Sequence, residues 1–216
     1  AAIAKLAVLQ TSDGGFAYWQ GGGKSDEWGS IYAGAFLIYA KEAGFFVPDG
    51  VFQRWLKYAT NKAKTRSSND FYQASLLYTL SLVKSANVAA LNALYEKKES
   101  LDTLSLWQLA AAFKASGFEE GGLNLAKNLP TTLLPKRGFS DFYASKTRDE
   151  ALIALAFSKI YDKPCEEIVS KLSTLLQSSA YLSTQSSAYA LLAVADATGA
   201  KSLQQSFNAT LEGTSN

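Results

Sequence analysis

Apolar side chains recur every three or four residues along most of the chain, and the short alternating runs typical of strands are scarce. A spacing of this kind places the apolar residues on one side of an α-helix. The sequence therefore predicts a protein built from helices alone, of the all-α class.

Five of the predicted helices are rich in alanine and apolar on most of their sides. A helix of this composition has to be buried nearly all round, because few of its faces can be left in water. The five therefore predict an inner layer of helices. They occupy residues 30–44, 70–77, 104–117, 148–155 and 185–199.

More polar helices lie between the inner ones and predict an outer layer, at residues 48–64, 88–98, 121–128, 164–176 and 201–211. Alternation of inner and outer helices at intervals of roughly 35 to 45 residues is typical of helical-hairpin repeats. Such repeats form either an open solenoid or a closed ring. Short connections, and inner helices that are apolar on both flanks, favour the ring, an α/α toroid.

Local signals mark several of the helix ends. Thr147 and Glu150 have the spacing of a capping box, which predicts that a helix begins there. Gly44, Gly117 and Gly199 follow the last apolar residues of three inner helices and are suited to helix C-termini.

The helix predicted over residues 1–10 belongs to none of the five hairpins. We interpret it as an outer helix whose inner partner would precede Ala1. The predicted ring then has six hairpins, and one inner helix is missing from it. We therefore expect residues 1–216 to form a single toroid domain that is a fragment of a larger multidomain protein.

Composition and charge remove several classes of function. With 21 basic and 19 acidic side chains the net charge is +2, which predicts no binding to nucleic acid. The longest uncharged stretch, residues 172–195, contains many Ser, Thr and Gln residues, so direct membrane insertion is not expected. Because the sequence has no histidine, it lacks the commonest metal ligand and general base. We expect no catalytic residue, no metal site and no cofactor.

A turn motif follows the first predicted helix, where Gln10 precedes Asp13, Gly14, Gly15 and Phe16. Asp-Gly-Gly is suited to a tight turn, and the aromatic ring after it can fill the gap between adjacent hairpins. The pattern resembles a structural motif of α/α toroids such as terpenoid cyclases, prenyltransferase subunits, and complement and macroglobulin thioester domains. The lack of histidine and of an Asp-rich acid motif disfavours the two enzyme families.

Two longer blocks narrow the resemblance. Residues 13–48 and residues 181–193, whose starts lie about 170 positions apart, are similar to the thioester domain of bacterial alpha-2-macroglobulins. The resemblance implies a non-enzymatic domain of a protease inhibitor or trap, located in the periplasm or at the cell surface. The partners that it implies are the neighbouring domains of the parent chain and, in addition, proteases.

The resemblance also implies a reactive group, a thioester between a Cys sulfur and the side chain of a Gln in a Cys-x-Glu-Gln motif. In that family a bait segment is cut, the molecule rearranges, and the thioester can acylate the protease. Here Cys165 is followed by Glu166, Glu167 and Ile168, so no such ring can close. Either the motif lies before Ala1 or it has been lost. Cys165 is predicted to be at least half-buried at a helix start, where its pKa would be lowered.

Two patterns offer alternative functions. Residues 21–25, Gly-Gly-Gly-Lys-Ser, resemble the end of a phosphate-binding loop, but Tyr18 stands where its first glycine is needed, so a flexible loop is favoured. Carboxylates at inner-helix starts could supply the acid and base of a carbohydrate-active toroid enzyme. The preference of acidic residues for helix N-termini explains them without catalysis. They are Asp26, Glu27, Asp70, Asp102, Asp149 and Glu150.

The loop at residues 130–146 is the best candidate for a contact surface, because long loops with aromatic and basic residues often carry function. The candidate interaction surface consists of Arg137, Phe139, Phe142 and Tyr143. A helical-repeat module that binds another protein is accordingly a third alternative. The remaining large aromatic residues, among them Trp19, are expected in the core.

Overall fold

The computed structural model describes residues 2–65, 69–133 and 145–199, and in these ranges the chain forms helices and no strand. The all-α prediction is confirmed. The α-helices are α1 (Ala2–Ala7), α2 (Glu27–Glu42), α3 (Asp49–Lys64), α4 (Asp70–Leu82), α5 (Val88–Tyr95), α6 (Thr103–Ala115), α7 (Glu119–Ala126), α8 (Lys146–Tyr161), α9 (Glu166–Gln177) and α10 (Thr184–Ala197). A short 3-10 helix, Lys98–Ser100, precedes α6.

The five helices predicted for the inner layer are α2, α4, α6, α8 and α10, and they pack against one another in chain order. Burial follows their composition: in α4 every residue from Phe71 to Ser81 is buried except Tyr72. Polar residues in this layer are small or hydrogen-bonded, as where the Ser75 hydroxyl donates to the Gln108 side chain at 2.9 Å. Hydrogen bonds of this kind are what allow polar groups inside a core.

Helices α3, α5, α7 and α9 form the outer layer, and each bridges two inner helices. Helix α3 illustrates why these helices lie outside. Its residues Val51, Phe52 and Trp55 are buried, while its Lys residues at 57, 62 and 64 are exposed. A helix with one apolar face has only one side to bury. The outer helix predicted at residues 201–211 lies outside the described residues.

The inner helices surround a common axis. A cavity of about 10 Å³ on this axis is lined by residues of all five, including Trp28 of α2, Tyr78 of α4, Gln108 of α6, Leu152 of α8 and Tyr189 of α10. The ring, rather than an open solenoid, is therefore the arrangement of these helices, and the α/α toroid is confirmed. Its least extensive contact between successive inner helices joins α10 to α2.

Side-chain caps begin every inner helix at the same end of the ring, which we call the N-terminal rim. The capping residues are Asp26, Asn69, Asp102, Ser145 and Ser183. The predicted capping box at Thr147 is wrong: the N-cap of α8 is Ser145, two residues earlier, and its hydroxyl accepts the N–H of Arg148. Gly44, Gly117 and Gly199 have positive φ angles at the opposite helix ends, as predicted.

Candidate functional site

A buried arginine closes the N-terminal rim. Arg148 lies in the first turn of α8 and is 1% exposed. Its guanidinium carbon lies 4.9 Å from the ring centroid of Trp28 and 5.4 Å from that of Phe71. Nε donates to Asp149 at 2.7 Å, and Nη1 donates to the side chain of Gln185 at 3.4 Å. We call these five residues the arginine cluster.

The arginine cluster joins the starts of four inner helices, α2, α4, α8 and α10. Two aromatic rings and a carboxylate balance the buried positive charge, which would otherwise be very costly to remove from water. A planar guanidinium is suited to stacking on rings and to bonding a carboxylate at its edge, so the contacts of the cluster position the four helix starts relative to one another.

One feature of the sequence points to this cluster. A cation in the first turn of a helix faces the positive end of the helix dipole, so Arg148 stands where acidic residues are normally favoured. Such a position indicates a compensating environment. The sequence alone does not identify the residues that supply this environment, because Trp28 and Phe71 come from distant parts of the chain and approach Arg148 only in the fold.

The carboxylates predicted at the rim are indeed found there, but most of them are engaged in structural contacts. Asp26 and Asp102 accept backbone N–H groups at 2.6 and 2.8 Å as helix caps. Asp70 pairs with Lys97 at 2.6 Å, and the buried carboxylate of Glu150 pairs with Lys171. With Asp149 bound to the arginine, five of the six rim carboxylates take part in helix caps or ion pairs.

The Gln-x-x-Asp-Gly-Gly-aromatic motif forms the predicted turn and ties three segments together. The Gln10 amide donates to the carbonyl of Val51 at 2.9 Å, which links the end of α1 to α3. Asp13 accepts the N–H of Gly15 at 3.1 Å, and Phe16 is buried with its N–H bound to the Ser30 hydroxyl at 2.8 Å. The motif is thus a structural fastening between the first hairpins.

Residues 21–25 connect this turn to α2. The Ser25 hydroxyl donates to Asp13 at 2.8 Å, and the N–H of Asp26 donates to the carbonyl of Phe16 at 2.8 Å. The loop is therefore fixed at its end to the Asp-Gly-Gly turn. A phosphate-binding loop would follow a strand, and the described residues before it form helix α1 and the turn.

Cys165 occupies the N-cap position of α9 and is 5% exposed, which confirms the prediction of a buried cysteine at a helix start. Its pKa, however, is raised, so the prediction of a lowered pKa is wrong. Burial is the largest cause and outweighs the hydrogen bond from the backbone of Ile168, while the charge of Glu167 raises the pKa further. A thiol with a raised pKa is a poor nucleophile at neutral pH.

The candidate interaction surface, Arg137, Phe139, Phe142 and Tyr143, lies outside the described residues. Of the other aromatic residues, Phe16, Trp28 and Trp107 are in the core as predicted. Trp19 is not: it is 81% exposed, beside Tyr18 at 43%. The prediction for Trp19 is wrong because it lies in the loop after the Asp-Gly-Gly turn, which none of the described helices covers.

Within the described residues, no group of three or more Cys, Asp or Glu side chains is arranged to hold a metal ion. None of the helices in those ranges is both long and apolar enough to cross a membrane.

Two curated proteins are similar to most of the chain. The alpha-2-macroglobulin of Escherichia coli strain K12 is 28% identical over 228 residues, covering 96% of this chain and 14% of the relative. The alpha-2-macroglobulin of Xylella fastidiosa is 30% identical over 185 residues, covering 77% of this chain and 11% of the relative. The chain thus spans a small part of these relatives. No protein-family model matches it.

Solved structures agree with the sequence comparison. Trypsin-activated alpha-2-macroglobulin from Escherichia coli superposes with a TM-score of 0.73 and 26% identity, over 90% of this chain and 14% of that one. Native Escherichia coli alpha-2-macroglobulin, from domain MG7 to its C-terminus, gives a TM-score of 0.73 and 25% identity, over 90% of this chain and 33% of that one.

The ring of inner and outer helices, fastened by the Asp-Gly-Gly turn, gives the described residues the fold of an α/α toroid. The chain is a relative of the bacterial alpha-2-macroglobulins and fits the thioester-domain region of that family.

Proposed function

We propose that the chain is the helical, thioester-type domain of an alpha-2-macroglobulin-like protease trap, acting in the periplasm or at the cell surface. The observation that carries the proposal is the likeness of the whole described ring to protease-activated alpha-2-macroglobulin, at a TM-score of 0.73. Since the relatives are several times longer, we also propose that this ring is one domain of a longer protein.

We propose that the domain contributes structure and not catalysis. The rim carboxylates form caps and ion pairs, and Cys165 has no Gln three residues later to close a thioester. Acylation of a protease, if the parent protein performs it, therefore has to use a thioester outside residues 1–216.

Exposed apolar surface supports a domain that packs against others. Phe45 and Phe46 follow α2 and are 67% and 83% exposed. Leu191 of α10 and Phe36 of α2 are exposed as well, on the two helices whose mutual contact is the least extensive in the ring. Large exposed apolar residues in neighbouring positions are typical of surfaces that bind other protein elements.

The contribution of this chain to trapping would be rigidity. A trap has to move its domains after cleavage, and a domain transmits such a movement only if it keeps its own shape. The arginine cluster joins four inner helices at the rim, and the Asp-Gly-Gly turn fastens α1 to α3. These contacts would let the ring move as one body when the parent protein is cut.

The proposal is tested by mixing the natural full-length gene product with trypsin and separating the mixture by native size-exclusion chromatography. We expect active trypsin to elute with the cleaved product in one complex. Trypsin whose active-site serine has been replaced by alanine is the control, because it cannot cut and should elute alone. Fragments that elute without any bound trypsin would contradict the proposal.

A further inference from the structure

A groove of about 660 Å³ lies in the outer layer between α5 and α7. Its size is within the range of ligand sites in proteins. None of the five residues of the arginine cluster lines it, so it is a separate feature of the surface. Three kinds of side chain in its lining can form contacts with a ligand: aromatic rings, exposed amides and carboxylates.

Three aromatic rings form the wall of the groove. Phe113 of α6 lies between Tyr95 and Phe118, at centroid distances of 5.8 and 6.2 Å and with interplanar angles of 86° and 85°. These edge-to-face contacts fix the rings, yet Tyr95 is 40% and Phe118 is 44% exposed. Rings that are already immobilised offer apolar contact area at little further entropy cost.

Two amides line the groove from its two helices, Asn92 from α5 and Asn124 from α7. Both are exposed, and neither side chain forms a hydrogen bond with any described residue. A carboxamide donates and accepts at once, which matches the N–H and C=O groups of an extended main chain. The pair is therefore suited to binding a peptide backbone.

The charge at the groove is negative. Glu119 and Glu120 occupy the first turn of α7. Glu119 has only a long contact, 3.8 Å, with Lys114, and Glu120 forms no ion pair with the described residues. The ring of Tyr95 already carries Lys98, with its Nζ 4.6 Å from the ring centroid, so the carboxylate of Glu120 is the group left to pair with a basic side chain of a ligand. Basic side chains are thus favoured over acidic ones.

We propose that this groove binds an extended segment of a partner protein in which an apolar side chain lies next to a Lys or Arg. The apolar side chain packs on Tyr95 and Phe118, the basic one pairs with Glu120, and the amides of Asn92 and Asn124 bond the main chain. The proposal does not depend on protease trapping, since it rests on the outer layer alone.

Gly121 is a position at which a substitution can be used to obstruct the groove. Gly121 lines the groove, and a Cβ at this position would have Phe118 Cβ as its nearest neighbour, at 4.0 Å, so the first atom of a side chain meets no clash. Leu is also a better helix former than Gly. Gly50 is the matched control: it is an exposed glycine in the first turn of α3, with Arg54 Nη1 3.5 Å from its added Cβ.

The experiment selects random phage-displayed peptides on the 216-residue chain, with counter-selection on Gly121→Leu. We expect a consensus with an apolar residue beside Lys or Arg. The affinity of a synthetic consensus peptide should fall about tenfold or more on Gly121→Leu and stay within about twofold on Gly50→Leu. Glu120→Lys, a surface change that leaves the groove open, should weaken binding about fivefold or more.

Three results would overturn the proposal. The first is that no peptide distinguishes the wild type from Gly121→Leu. The second is a consensus without a basic residue, or one whose binding Glu120→Lys leaves unchanged. The third is a concentration-dependent dimer of the wild type, seen by sedimentation and lost in Gly121→Leu, because it would assign the groove to a second copy of the chain.

Discussion

The guanidinium of Arg148 lies 4.9 Å from the centroid of the Trp28 ring and joins α8 to α2, two inner helices that are not neighbours in the chain order. Helix α10 stands between them in the ring, and its Gln185 accepts a hydrogen bond from the same guanidinium. The arginine therefore holds the rim across the weakest contact of the ring.

Replacing the arginine by an uncharged residue of similar length should destabilise the ring. Arg148→Met removes the hydrogen bonds that Asp149 and Gln185 accept from the guanidinium, and its contacts with the rings of Trp28 and Phe71. We expect a loss of about 3 kcal/mol in the free energy of unfolding, measured with urea. Arg54→Met is the control, because Arg54 is exposed and bonds Gln10 at the surface, so its loss should cost about 1 kcal/mol or less. Equal losses in the two variants would show that the arginine cluster has no special role.

The two layers of the ring could be predicted because the distribution of apolar residues around a single helix determines how many of its sides must be buried. Helix α4 is apolar on all sides and α3 on one, and each takes the layer that its pattern requires. The arginine cluster could not be predicted in the same way, because Trp28, Phe71 and Gln185 meet Arg148 only once the ring has formed. Similarly, the spacing of Thr147 and Glu150 could not show that Ser145 would supply the cap.

Gly34 is expected to tolerate no side chain. It lies in α2 where the helix approaches the indole of the fully buried Trp55, and an added Cβ would overlap atoms of that ring. The indole cannot withdraw freely because its Nε1 donates to the carbonyl of Ser30 at 2.9 Å. Gly34→Ala should lower the free energy of unfolding by about 3 kcal/mol. Gly50→Ala, an exposed helical position with room for the methyl group, should change it by less than about 1 kcal/mol. A stable Gly34→Ala variant would disprove this packing.

Cys165 should react slowly while the protein is folded. Burial hides the thiol and raises its pKa, so at pH 7.4 little thiolate is available to attack a reagent. With iodoacetamide we expect mass spectrometry to show labelling only after denaturant is added. On the trap proposal, Cys165→Ala should leave trypsin binding by the full-length product close to that of the wild type. Rapid labelling of the native protein would contradict this view of the residue.

Stability should fall in alkaline solution because two tyrosines are buried in the inner layer. Burial raises the pKa of Tyr78 and of Tyr189 above the ordinary value of 10.0. Above pH 10 the unfolded chain loses these protons while the folded ring keeps them, so the stabilisation is complete below pH 10 and is lost as pH rises further. The slope that each tyrosine contributes should grow from near zero at pH 9 toward a limit of about 1.4 kcal/mol per pH unit well above pH 10. In urea titrations between pH 9 and 11, Tyr189→Phe should reduce the slope, whereas Tyr181→Phe, which removes an exposed hydroxyl, should not. The same slope in all three proteins would contradict the assignment.

The Asp-Gly-Gly motif predicted the local turn but not the exposure of the residues that follow it. Its residues predicted a tight turn and a buried aromatic, and Asp13, Gly15 and Phe16 adopt those roles. The same motif could not show that Trp19, three residues further on, would be exposed, because exposure depends on whether another element covers the loop.

The trap proposal is tested most directly by the size dependence of protease inhibition. A trapped protease keeps its active site, so it still cuts small substrates but is shielded from large ones. The measurement is the residual activity of trypsin toward casein, divided by its activity toward a small peptide nitroanilide, after incubation with excess full-length product. We predict that this ratio falls at least about tenfold, in the wild type and in Cys165→Ala alike. A ratio that stays at the value for free trypsin would contradict the assignment of this ring to a protease trap.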